Sequence, residues 1–126
     1  MPDKKQFELE FGFRSAPSIL YNFLTTPSGL SQWFAESVDI NDDIYLFSWS
    51  GSDEEARVLD SQENEFIRFQ WVEGSKDEFF EFRIEISEIS HDTILYVTDF
   101  AADYELDDQI LLWKSQIDIL HQHIGG

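Results

Sequence analysis

Cysteine is absent from this 126-residue chain, which excludes a disulfide framework and any thiolate chemistry. Basic residues are scarce: 8 Lys and Arg stand against 26 Asp and Glu, a formal net charge of −18. A phosphate backbone would be repelled, so nucleic acid is not expected as a direct partner. The same field works against docking on anionic membranes. No apolar run approaches the roughly 18 residues of a spanning helix. The opening MPDKKQFELE has no secretory apolar core. These absences predict a cytoplasmic protein without membrane insertion. No linker, repeat or low-complexity tract divides the chain, so a single domain over residues 1–126 is expected.

What the chain has in quantity is ring volume. Aromatics make up 16%, with 12 Phe, 4 Trp and 4 Tyr, and hydrophobic residues reach 42%. That is too apolar for a disordered acidic protein, and a chain of this length buries roughly 65–70% of its unfolded surface. The rings fit either a dense aromatic core or an aromatic-lined cavity, and composition leaves both readings open.

Order along the chain is legible from period. Phe7, Leu9, Phe11 and Phe13 alternate with polar residues, the mark of a half-buried strand. Ser15 is placed to cap a short helix from Pro17 to Leu24, whose apolar side is Ile19, Leu20, Phe23 and Leu24. Thr26 and Pro27 restart the chain into a turn of helix carrying Leu30, Trp33 and Phe34. Six strands follow, predicted at Ser37–Ile40, Ile44–Ser50, Glu54–Asp60, Glu65–Glu73, Glu78–Ser90 and Thr93–Ala101. The turns between them are short, so neighbours are antiparallel.

The tail changes period. Leu106, Ile110, Trp113, Ile117, Leu120 and Ile124 fall 4, 3, 4, 3 and 4 apart, a continuous helical stripe that Leu111, Leu112 and Ile119 widen. Gly125 and Gly126 end this helix of about 18 to 20 residues. Alternation assigns Tyr45, Phe47, Trp49, Ile67, Phe69, Trp71, Phe80, Phe82, Ile84 and Ile86 to the face it covers. Glu81, Arg83, Glu85, Arg68 and Gln70 are left for water.

Little recognisable chemistry is present. His121 and His123 are two apart and lie on different sides of a helix, a poor metal pair; polar ends of a fraying helix describe them better. The segment DYELDDQILLWK has the alternating acids of a calcium loop but lacks its Gly at position six and its final Glu. Asp103, Glu105, Asp107 and Asp108 fit better as charges at a helix N-terminus. No nucleophile elbow and no phosphate-cradling glycine loop occurs. No catalytic residue, metal site or cofactor is expected.

The stretches SAPSILYNFLTTPSGLSQWFAESV, FSWSGSDEEARVLDSQENEFIRFQWVE and DTILYVTDF, with the tail around Trp113, resemble START-like domains of the SRPBCC superfamily. The resemblance is closest to the branch related to activators of the heat-shock ATPase chaperone. It implies an α+β helix-grip (START/Bet v 1-like) fold: a curved seven-stranded antiparallel sheet wrapping the long C-terminal helix, with two short helices after strand 1. It also implies a space between sheet and helix in which relatives often hold apolar small molecules.

Strand 93–100 reads on either face from its own residues. The resemblance turns Leu95 and Val97 inward and sets Asp99 on that side near the rim, as a polar ligand contact. The alternative is a loop-end carboxylate in water. The ligand-binding candidates are Trp33, Phe34, Tyr45, Phe47, Trp49, Phe69, Trp71, Asp99, Trp113 and Ile117.

Three functions follow in order. The first is non-enzymatic binding of a small apolar or amphipathic molecule by a monomer. The second is a protein-interaction module or chaperone cofactor that meets a basic partner through the acidic surface. The third is an enzyme of the cyclase or dehydratase kind.

Overall fold

The computed structural model describes residues 3–125. Its elements are β1 (Lys4–Phe13), α1 (Pro17–Thr25), α2 (Pro27–Leu30), β2 (Ser37–Asn41), β3 (Ile44–Trp49), β4 (Ser52–Gln62), β5 (Phe66–Trp71), β6 (Phe80–Ile86), β7 (Thr93–Ala102), a 3-10 turn (Asp103–Glu105) and α3 (Leu106–Ile124). One seven-stranded antiparallel sheet has the order β1-β7-β6-β5-β4-β3-β2. It is a meander from β2 to β7, closed by β1 returning to pair with β7. The curved sheet and long C-terminal helix form the helix-grip architecture that the START-like resemblance implies.

The register decides the face of β7. Phe7 stands opposite Asp99, Leu9 opposite Val97 and Phe11 opposite Leu95. Leu95 and Val97 are completely buried, so this set faces the helix. In β4, Ala56 lies between Tyr45 of β3 and Trp71 of β5. Its small side chain makes room for the two flanking rings.

The Trp-Phe pair on the connector supplies the centre of the core. Phe34 packs its ring against Trp33, Phe47, Trp49, Phe80, Phe82 and Trp113 at centroid distances of 4.9–6.2 Å. Trp33 donates its indole N–H to the Phe23 carbonyl at 2.8 Å, which pins the connector to α1. Gly29 makes this closeness feasible: a Cβ there would sit 2.4 Å from the Asn22 oxygen and 2.6 Å from the Phe23 Cα.

Several details depart from the pattern-based expectation. Ala16, not Ser15, is the N-cap of α1. The Ser15 hydroxyl is buried without a partner, while its carbonyl accepts from the Thr93 hydroxyl at 2.6 Å. Thr26 does cap α2, accepting from the Gly29 amide at 3.0 Å. The strand β6 is shorter than predicted, and β4 longer, with a bulge between Val58 and Asp60.

On α3 only Trp113, Ile117 and Leu120 are buried. Leu111, Leu112 and Ile119 are exposed, because the sheet covers one line of the helix rather than a broad face. Ile19 and Ile86 are likewise about half exposed, at the margins of the layer. Gly125 adopts φ 87° as the left-handed end of α3; Gly126, the last residue of the predicted stop, lies outside the described residues.

Glu81 reverses its assignment to water. It is only 6% exposed. On the convex face Arg68 holds it at 2.9 Å and Arg83 at 3.5 Å. The two guanidiniums in turn lie over the rings of Phe79 and Phe66, which shield the carboxylate. His121 is also better held than a fraying helix end: its ring stacks on Phe13 at 4.1 Å and its Nε2 donates to the Gly12 carbonyl at 2.8 Å.

Candidate binding cleft

The aromatic interior divides along the length of α3. Its middle is packed solid. Phe47, Phe69, Phe80 and Phe82 are essentially fully buried, with Phe69 and Phe80 stacked at 4.9 Å. Toward the N-terminal half of α3 the layers part, leaving an open cleft of ≈ 590 Å³. A volume of this order suits a small organic molecule.

Its walls come from distant parts of the chain. The sheet contributes Trp49 of β3, Glu54 of β4, Trp71 of β5, Asp99 of β7 and Lys4 of β1. The helix contributes Gln109, Leu112, Trp113 and Gln116, and Phe34 closes the inner end. Of the ten predicted contacts, the cleft brings together Phe34, Trp49, Trp71, Asp99 and Trp113. Trp33, Tyr45, Phe47, Phe69 and Ile117 lie in the packed part behind it. Tyr45 uses its hydroxyl to hold the Thr25 carbonyl at 2.8 Å, a tie between β3 and α1.

Hydrogen bonds hold the walls in place. The Phe34 carbonyl accepts from the Trp49 indole at 2.9 Å and from the Gln116 amide at 3.2 Å, joining connector, sheet and helix at one atom. Asp99 accepts from the Trp113 indole N–H at 2.9 Å through Oδ2 and from the Phe100 amide at 2.8 Å through Oδ1. Burial raises its carboxyl pKa above the ordinary value. The two hydrogen bonds and nearby Lys4 oppose that rise, and Glu78 adds to it. A smaller recess of ≈ 160 Å³ shares Lys4, Trp71, Asp99 and Gln109 with the cleft and adds Glu78 and Glu105.

Five lining residues escaped the sequence reading: Lys4, Glu54, Gln109, Leu112 and Gln116. Gln109 and Gln116 carried a usable signal, since they lie four before and three after Trp113 and so share its helix face. Lys4 and Glu54 carried none, because strand register alone brings them to the rim. Among the described residues no group of three or more His, Asp or Glu side chains is arranged to hold a metal ion. No described helix is long and apolar enough to cross a membrane.

Comparison with known proteins agrees with the geometry. The profile of the START-like superfamily domain matches residues 1–126. The solution structure of BfR322 from Bacteroides fragilis is similar at 33% identity, with 98% of this chain and 92% of that one covered and a TM-score of 0.66. The Aha1 dimer from Colwellia psychrerythraea is similar in fold at 16% identity, covering 93% and 94%, with a TM-score of 0.76. CalU16 from Micromonospora echinospora is similar at 18% identity, covering 96% and 76%, with a TM-score of 0.75. At such identities the last two speak for the fold alone. No curated protein matches this sequence.

Proposed function

The chain belongs to the START-like superfamily, and from that premise we propose that it binds a small hydrophobic or amphipathic molecule between the sheet and α3. The observation that carries this reading is the ≈ 590 Å³ cleft itself. Partly buried Trp49 and Trp71 line it beside a few fixed polar groups, the composition expected of a small-molecule site. An interior meant only for packing would close this volume, as it does around Phe69 and Phe80. Incubation with a mixture of lipids and metabolites, followed by native mass spectrometry, tests the proposal. A retained molecule is expected, together with a shift in indole emission from this partly buried pair. No retained species and unchanged emission would remove the reading.

The acidic surface supports a second reading, docking of a basic protein such as a chaperone partner. Exposed Asp39, Asp42, Asp43 and Glu55 gather around a recess at the β2–β3 turn. Such a complex would be steered by charge and strongest at low salt. A pull-down at two ionic strengths distinguishes it from ligand binding, which the cleft would support with no partner present.

A further inference from the structure

The charge around the cleft is lopsided in a way that selects among small molecules. Glu54 and Asp99 line the cleft, and Glu78 and Glu105 line the adjoining recess. Against these four carboxylates stands Lys4, whose ammonium is already 3.5 Å from Glu78. An anionic headgroup entering here would meet uncompensated like charge. A neutral one would leave the surplus negative charge of the lining uncompensated.

The aromatic walls point the same way. Trp49 and Trp71 are partly buried, with ring centroids 6.3 Å apart and planes at 57°, two walls of a corner at the cleft. Indole faces carry negative potential and attract ammonium groups, most strongly where water is partly excluded. Phe34, Leu112 and Trp113 supply apolar lining beside them.

Building on the ligand-binding reading above, we propose that the ligand is an organic cation: an amine or quaternary ammonium joined to an apolar body. The charge rests beside Trp49, Trp71 and the carboxylate of Glu54, which the register sets between those two rings. Asp99, three strands away on β7, adds to the negative field across the cleft, and the body lies along Phe34 and Leu112. The net charge of −18 enriches such cations near the mouth, but the preference itself resides in the cleft.

The test uses three probes with one chain length, octyltrimethylammonium, octanol and octanoate, titrated calorimetrically at about 0.3 M salt to screen the general field. The ammonium is expected to bind at least about tenfold more tightly than the alcohol, with the carboxylate weakest. Glu54→Gln should lower the ammonium-to-alcohol ratio, and Asp99→Asn, three strands from Glu54, should lower it less. Glu88→Gln with Asp92→Asn, exposed in the β6–β7 turn and outside the cleft, should leave the ratio as it was. Glu54 is exposed, so its variant keeps the test open even if Asp99→Asn fails to fold. Equal binding of ammonium and alcohol, or preference for octanoate, overturns the charge assignment while leaving an apolar site. A ratio that falls equally in the distant variant overturns it too, assigning the effect to the overall field. Failure of all three probes to bind overturns the ligand-binding reading beneath it.

Discussion

The indole N–H of Trp113 on α3 donates to Oδ2 of Asp99 on β7 at 2.9 Å, so one hydrogen bond ties the helix to the sheet inside the cleft wall. The bond joins the largest ring of the helical stripe to the inward carboxylate of the strand.

Burial makes Asp99 a pH-dependent element of stability. Its folded pKa lies above the ordinary carboxyl value, so its contribution is fully present below that ordinary value and is lost as pH rises through the folded one. Wild type should therefore gain stability relative to Asp99→Asn as pH falls from about 7 to about 4, close to the ordinary carboxyl value. Urea unfolding of the two proteins at both pH values checks this. A wild type that loses ground on acidification would mean that the hydrogen bonds from Trp113 and Phe100, with Lys4, outweigh burial.

Phe34→Ala should destabilise by about 3–5 kcal/mol, because the ring is 4% exposed and meets six other aromatic rings. Phe34→Leu should cost much less, since it keeps most of the volume. Denaturant midpoints at equal m-value are the measurement.

Gly29→Ala should cost about 1–3 kcal/mol through overpacking, since the new Cβ would collide with backbone atoms of Asn22 and Phe23. Exposed Ser28→Ala, one residue earlier, should stay within about 0.5 kcal/mol. If the two variants melt together, α1 and α2 are not as close as described.

On the convex face, Glu81→Gln should cost about 1.5–3 kcal/mol, toward the lower end because Arg68 and Arg83 are 39% exposed and partly hydrated. Replacing the group together, with Arg68→Met, Glu81→Leu and Arg83→Met, should recover much of that loss. Thermal unfolding of wild type and the two variants separates the carboxylate's role from simple loss of bulk.

Local pattern carried far in this chain. The alternation Phe7, Leu9, Phe11, Phe13 and the stripe through Trp113 and Ile117 specified strand 1, the terminal helix and the covered face. Each rests on the fixed periods of strand and helix, which depend only on neighbours in sequence. The same logic misplaced Glu81, which is held by Arg68 of the adjacent strand and Arg83 of its own, each lying over a phenylalanine ring. It also overestimated the buried width of α3, because the amount of sheet a helix meets depends on curvature that no local period encodes.

The order of elements, the inward rings and the surplus of negative charge were therefore written into the chain's short-range patterns and composition. Where those rings close into solid core and where they part around ≈ 590 Å³ was settled only when seven strands and a helix came together. Residues as distant as Lys4, Glu54, Asp99 and Gln116 meet there through register and curvature, and such long-range geometry leaves no periodic trace in the residues that it joins.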